Sequence, residues 1–291
     1  MHRFAAIFLI SSALSAEPDF ALQPSDVKLS SPAVTEASGL AASPSKEGFL
    51  WIVNDSGGTP EIHLAQTDGT SRGSVTVADA VNKDWEDLAA FTVDGNQCLL
   101  IADTGDNGST RETCTLHIVR EPKLPAEGET LSGKAPVAWK IDFTYEDGPR
   151  DCESVAVDAE NGKIILISKR TDPPGVYELP LKPGKNAIAR KISTTATKAP
   201  GIVSVPFANQ PTGLDISADH RMAAIVTYLG VFLFRREEKE SWAEAFVKNP
   251  EVLAPHKLAQ AEAVAFSRDG VSIFAVSEKA NSPVARYGSP D

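Results

Sequence analysis

A short segment recurs five times along the chain in one register, and no other feature narrows the possible folds as far. Each copy opens with a polar or acidic pair two residues apart and runs into a small apolar stretch: Glu36 to Ala41, Asp84 to Ala89, Asp151 to Ala156, Gln210 to Asp215 and Gln260 to Ala265. Aligning the copies on their Leu or Val superposes Ser38, Glu86, Glu153, Thr212 and Glu262, with gaps of 48, 67, 59 and 50 residues. Self-similarity at such a period means one supersecondary unit stacked repeatedly. The spacing suits a four-stranded propeller blade with some loops enlarged.

After each segment come a turn signal and a β-rich run, as in Ser45 to Gly48 before Phe49 to Val53, or Glu160 to Gly162 before Lys163 to Ile167. Length, apolar content and Gly, Asp or Asn flanks mark these runs as buried strands. A third strand follows in each of the first four units, as at Glu61 to Ala65 and Cys114 to Val119. The last unit supplies about three strands, and Ser25 to Ser30, ahead of the first unit, is expected to complete it. Ring closure of this kind removes exposed sheet edges. The expected fold is therefore all-β, a five-bladed β-propeller closed by an N-terminal strand and occupying residues 17–291 as one domain. Six blades is the competing count, should a long insertion hide one. Glu237 to Val247 is helical by composition, but its position reads as a hairpin tip leading into a strand.

Residues 1–16 have the pattern of an export signal: Arg3, then the apolar run Phe4 to Ile10, then small residues from Ser11 to Ala16. Such a run is too short to span a bilayer, and no other apolar run approaches twenty residues. A secreted or periplasmic monomer without stable membrane insertion is expected. The formal charge of −11 disfavours nucleic acid, whose phosphates need a basic face, and suits a cation. Three cysteines, Cys98, Cys114 and Cys152, exclude a fully paired framework within one chain. A Cys98–Cys114 bridge stays open, and small buried thiols are the favoured alternative.

In an antiparallel meander, the start of the first strand and the end of the second lie at one end. Glu36, Asp84, Asp151, Gln210 and Gln260 should therefore share a channel rim with Asp55, Asp103, Lys169, Arg170, Tyr228 and Glu278. One alternation deeper lie Ser38, Glu86, Glu153, Thr212 and Glu262. At about 5 Å and an effective dielectric near 20, each pair of ring glutamates repels by roughly 3 kcal/mol. They must protonate, splay toward backbone donors or share a cation. An all-oxygen set without Cys or His suits Ca²⁺. The competing reading is that the glutamates hydrogen-bond adjacent blades and staple the ring. Asp103, Arg150, Lys169 and Arg170 are the candidate catalytic residues, with Arg111 and Lys279 beside them, because carboxylates and cations together could orient water and clamp a phosphate. For each base, pairing with a neighbouring acid is the plainer reading. Asp103 to Glu112 fits an EF-hand frame poorly and reads as an Asx-rich turn with Asp106 or Asn107 left-handed. His63 and His117 read as structural residues in mid-strand, and Asn54 to Gly58 lacks the histidine a serine-protease motif requires.

The order Ser, Glu, Glu, Thr, Glu resembles the central ion ring of the calcium-activated nucleotidases, the soluble apyrases. These are five-bladed propellers, and the resemblance implies Ser38, Glu86, Glu153, Thr212 and Glu262 as calcium ligands, with Thr212 standing where that family has serine. It covers the ring alone and carries no nucleotide loops. The stretches Ala102 to Asn107 and Tyr145 to Glu153 resemble secreted bacterial propellers related in pattern to the SdiA-regulated and phytase-like esterase groups, over roughly residues 33 to 180. That likeness implies the fold and the rim, without a substrate.

The functional expectation is an exported calcium-binding propeller whose channel mouth binds a small-molecule or phosphate-containing ligand or a partner. The alternative is a calcium-dependent phosphohydrolase, nucleotidase- or phytase-like, acting at that mouth.

Overall fold

Alternating burial along short apolar strands determines how the chain layers itself: successive side chains of one strand face opposite neighbours. In the computed structural model, which describes residues 18–197 and 208–289, the chain forms a β-propeller built of antiparallel meanders. Strand β1 (Leu22–Gln23) comes first and is set apart from the meander it completes. Blade 1 holds β2 (Ala37–Ala42), β3 (Phe49–Asn54), β4 (Glu61–Gln66) and β5 (Ser71–Ala78). Blade 2 holds β6 (Trp85–Val93), β7 (Asn96–Asp103), β8 (Cys114–Arg120) and β9 (Lys134–Tyr145). Blade 3 holds β10 (Cys152–Asp158), β11 (Lys163–Ser168), β12 (Gly175–Pro180) and β13 (Gly184–Thr194). Blade 4 holds β14 (Gly213–Ile216), β15 (Met222–Thr227) and β16 (Gly230–Arg235), then α1 (Trp242–Ala245) and β17 (Glu251–Val252). Blade 5 holds β18 (Ala261–Phe266), β19 (Ser272–Ser277) and β20 (Val284–Gly288), with β1 pairing on β20.

Five apolar seams, one between each successive pair of blades, form the core of the described residues. Strand β3 shows how period 2 feeds two of them. Trp51 and Val53 face blade 2, while Leu50 and Ile52 face blade 5. The first strands of the blades, β2, β6, β10, β14 and β18, line the axis and approach closely there. A Cβ at Gly39 would lie 2.6 Å from Leu88 N, so β2 can meet β6 only with glycine at this position.

The closing strand is not where the sequence pattern places it. Regular pairing occurs at Leu22↔Tyr287 and Gln23↔Arg286. Pro24 has no N–H to continue the ladder, and contact resumes with Val284 N to Val27 O (3.0 Å) and Leu29 N to Ser282 O (2.9 Å). The expected segment thus lies along β20, but as a strap rather than a strand. A second departure concerns Ser241 to Ala245. The Ser241 and Glu244 side chains cap each other's backbone N–H groups and start a one-turn helix in place of the expected hairpin tip. Trp242 Nε1 donates to Asp158 Oδ2 (3.1 Å), which pins this turn onto blade 3.

The 12-residue β9 runs parallel to β5 at Thr76↔Lys134 and to β13 at Ala187↔Phe143. The outer edges of blades 1 to 3 therefore merge into one sheet. All three cysteines are free and buried. Cys98 pairs opposite Arg120 and Cys114 opposite Phe143, too far out of register for a bridge. The expected export signal lies outside the described residues.

Candidate metal centre at the channel mouth

Four of the ring positions are β-bulges. The register shifts between Ala37 and Gly39, Trp85 and Asp87, Cys152 and Ser154, and Ala261 and Ala263, leaving Ser38, Glu86, Glu153 and Glu262 as the extra residues. The fifth, Thr212, donates its N–H to Val226 O (3.0 Å), and Gly213 is paired with the same Val226. A bulge bends the strand and re-aims a side chain, so one device repeated in every blade brings the five sequence-marked residues to one level. All five are at most 5% exposed. The hydroxyls donate across to the next blade: Ser38 Oγ to Trp85 O (2.7 Å) and Thr212 Oγ1 to Ala261 O (2.6 Å). Those carbonyls belong to the residues just before Glu86 and Glu262. Thr104 Oγ1 likewise bonds Cys152 O (2.7 Å), just before Glu153.

The glutamates are treated unequally. Lys169, 7% exposed, carries its ammonium to Glu153 Oε2 and lies 5.7 Å from the centre of the Tyr228 ring. Tyr228 donates its hydroxyl to Glu262 Oε1 (2.6 Å). Burial works against the Lys169 charge, but Glu153 and Glu262 outweigh it and hold the ammonium above its usual range. Burial pushes Glu153 up to about 8 against the pull of Lys169, and Glu262 up to about 7. Glu86 receives no hydrogen bond or ion pair from any described residue, although it is 5% exposed. Burial, then the charges of Glu153, Asp55 and Asp84, drives its carboxyl well above the carboxylate range.

Above the ring, two carboxylate groups share Glu86: Asp55–Asp84–Glu86 and Glu86–Asp151–Glu153, with ligand oxygens within 4.8 Å of one another in each. The second group already has counter-ions, since Arg170 Nε bonds Asp151 Oδ2 (2.6 Å) and Lys169 holds Glu153. The first has no ion-pair partner among the described residues. Asp55 and Asp84 bring carboxylate oxygens within 4.8 Å of each other, close enough for one cation to bridge them. Burial, then Asp55, raises Asp84 to about 6. Gly105 closes the floor of this cradle, where a Cβ would overlap Glu86 Oε1 and the Asp84 carboxylate. An oxygen-only cradle with one nearly buried, undonated carboxylate fits a hard cation.

The candidate catalytic residues divide. Lys169 and Arg170 reach the mouth, where Arg170, at φ +61, also bonds Asn107 Oδ1. Asp103 is buried and held by Arg111 (2.7 Å). Arg150 is turned away toward Tyr177 Oη (3.0 Å) and Asp147 (2.9 Å). Every one of Arg111, Arg150, Lys169 and Arg170 thus pairs with a carboxylate, the plainer of the two readings. Asp106 does organise a turn, accepting from Thr110 N (2.9 Å) and Arg111 N (2.8 Å), but the left-handed residue is Ser109.

Sequence reasoning missed a lower polar level. Fully buried Asp87 accepts from Leu88 N (2.8 Å) in its own strand, Val155 N (2.7 Å) in blade 3 and Leu214 N (3.1 Å) in blade 4. Asp215 joins Ile216 N (2.9 Å) to Phe266 N (2.8 Å) in blade 5. The signal was present: where the other copies carry Gly39, Ser154, Gly213 or Ala263, and Ala41, Ala89, Ala156 or Ala265, these two carry an acid inside the apolar stretch.

No protein-family model matches the sequence, and no curated protein matches it either. Among solved structures, a gluconolactonase from Xanthomonas campestris aligns over 87% of this chain and 72% of its own, at 11% identity and a TM-score of 0.46.

Proposed function

We propose that this protein is an exported hydrolase dependent on a hard divalent cation, Ca²⁺ being the expected one, held by Asp55, Asp84 and Glu86 at the channel mouth. The observation that carries the reading is Glu86, a nearly buried carboxylate that no described residue hydrogen-bonds, placed with its oxygen within 4.8 Å of those of Asp55 and Asp84. Export rests on Arg3 and the apolar run that follows it. The wider ring of Ser38, Glu153, Thr212 and Glu262 supports the cradle from below, its hydroxyls fixing the bulges that aim the glutamates.

When bound, the cation would polarise an ester or phosphoryl oxygen and lower the pKa of a water. Asp55 and Asp84 are partly exposed and Glu86 buried, so the cradle grips from below and opens toward solvent. Asp151, fixed by Arg170 and by the N–H of Asp106 (2.9 Å), walls the neighbouring side. Carboxylates outnumber cationic groups at the mouth, and each arginine there is already engaged. An uncharged ester therefore meets less repulsion than a phosphomonoester.

A binding module is the second reading, favoured by the internal satisfaction of the ring, where Lys169 pairs with Glu153, Tyr228 with Glu262, and the Ser38 and Thr212 hydroxyls with the carbonyls of Trp85 and Ala261. Turnover separates the two. Purified protein assayed on p-nitrophenyl acetate and p-nitrophenyl phosphate, with calcium and with chelator, should hydrolyse the acetate in a chelator-sensitive manner that Asp84→Asn abolishes. No turnover of either ester at any calcium concentration leaves the binding module.

A further inference from the structure

We infer that the Lys169 ammonium is a resident second cation of this channel, seated in a latent site for a hard divalent ion formed by Glu153, Thr212 and Glu262. The inference rests on the reading of Asp55, Asp84 and Glu86 as the exchangeable site, and it explains why one such site and not two is open.

Lysine is seldom buried unless it is paired, and here the pairing surrounds it on several sides. Its backbone N–H is fixed to Asp151 O (2.8 Å), which directs the side chain inward from the end of β11. The ammonium meets Glu153 Oε2 in its own blade, and the Tyr228 ring, 5.7 Å away, belongs to the neighbouring blade. Tyr228 in turn holds Glu262 of blade 5 (2.6 Å). Thr212 lies between Glu153 and Glu262 in blade order. Its proton is committed to Ala261 O (2.6 Å), which leaves the oxygen free only as an acceptor. Glu153 directly, and Glu262 through Tyr228, thus gather around one positive charge beside an aromatic ring, and carboxylate oxygens of this kind are the ligands a hard cation takes. The occupant is covalently tethered, so this half of the ring remains neutralised whatever the metal concentration. Among the described residues no ammonium pairs with Asp55, Asp84 or Glu86 in the blade 1 and 2 half, and there the charge comes from solution.

Removing the tethered charge without changing its volume tests the inference. Chelator-treated protein titrated with calcium chloride by calorimetry should bind one ion per chain in the wild type, two in Lys169→Met, and one in Lys169→Arg, which keeps the cation. Should Lys169→Met fold only in calcium, elemental analysis of the refolded variant should count two ions per chain. One ion in the folded Lys169→Met variant overturns the inference, as do two in the wild type. No ion in the wild type and one in Lys169→Met would sustain the resident cation and remove the metal site at Asp55, Asp84 and Glu86. No binding by either protein removes both.

Discussion

Glu86→Gln is the most informative single change, because the metal reading and the staple reading predict opposite signs. Glu86 belongs to both carboxylate groups, whose oxygens lie within 4.8 Å of each other. At that distance and an effective dielectric near 20, each like-charge pair costs about 3 kcal/mol. The carboxyl escapes part of this by taking a proton, at about 1.4 kcal/mol per pH unit above its unperturbed pKa of about 4.3. At pH 8 that limit is about 5 kcal/mol, so replacing the carboxylate by an amide should stabilise the metal-free protein by about 2–5 kcal/mol. At roughly 2–4 °C per kcal/mol for a chain of this size, melting should rise by about 5–15 °C in chelator. In calcium the wild type gains about 2.7 kcal/mol at a hundredfold excess over Kd, and the variant should gain little of it. Thermal unfolding followed by circular dichroism, in chelator and in calcium, reads both effects. A variant that melts below wild type in chelator would show that Glu86 is a staple with a partner. An equal calcium-induced rise in both proteins would show that it is no ligand.

Three further outcomes are expected. Asp87→Ala leaves Val155 N and Leu214 N buried without their acceptor, at about 1–3 kcal/mol per unsatisfied group; urea unfolding should show a loss of about 2–6 kcal/mol, and a loss under about 1 would mean that the blades re-pair. The folded protein holds protons on Asp84 and Glu262 up to about 6 and 7, whereas the unfolded chain releases them near 4. Metal-free stability should therefore be greatest below about pH 4 as far as these groups are concerned, and fall as pH rises toward 7; calcium should flatten that slope and release protons on binding, and a rising slope in chelator would contradict the assignment. Gly105→Ala forces a methyl group against Glu86 and Asp84, so calcium affinity by calorimetry should fall at least tenfold, about 1.4 kcal/mol, and an unchanged Kd would place the ion elsewhere.

The repeat of a polar or acidic pair before a small apolar stretch was enough to identify the first strand of every blade, and the Leu or Val alignment marked Ser38, Glu86, Glu153, Thr212 and Glu262 as one level. Both are local patterns: a strand has period 2, and a bulge at a fixed offset turns one residue toward the axis in each copy. Asp55 and Asp84 were legible as rim residues, because a meander returns its second strand beside the start of its first. The helix at Ser241 was misread because its capping box spans one turn, too short to show periodicity. The closing strand was displaced by Pro24, whose missing N–H matters only once the partner β20 is known.

The repeat and its polar positions were thus set by the sequence alone, because strand period, turn chemistry and bulge offset act within a few residues. Which carboxylates are neutralised was decided only by the tertiary structure. Lys169 reaches Glu153 across its own hairpin, Tyr228 reaches Glu262 from the next blade, and Arg170 holds Asp151. Asp55, Asp84 and Glu86, which meet where blade 1 closes on blade 2, are left without an ion-pair partner among the described residues. Charge balance falls off over a few ångströms and depends on residues far apart in the chain, and only the closed ring brings those within reach.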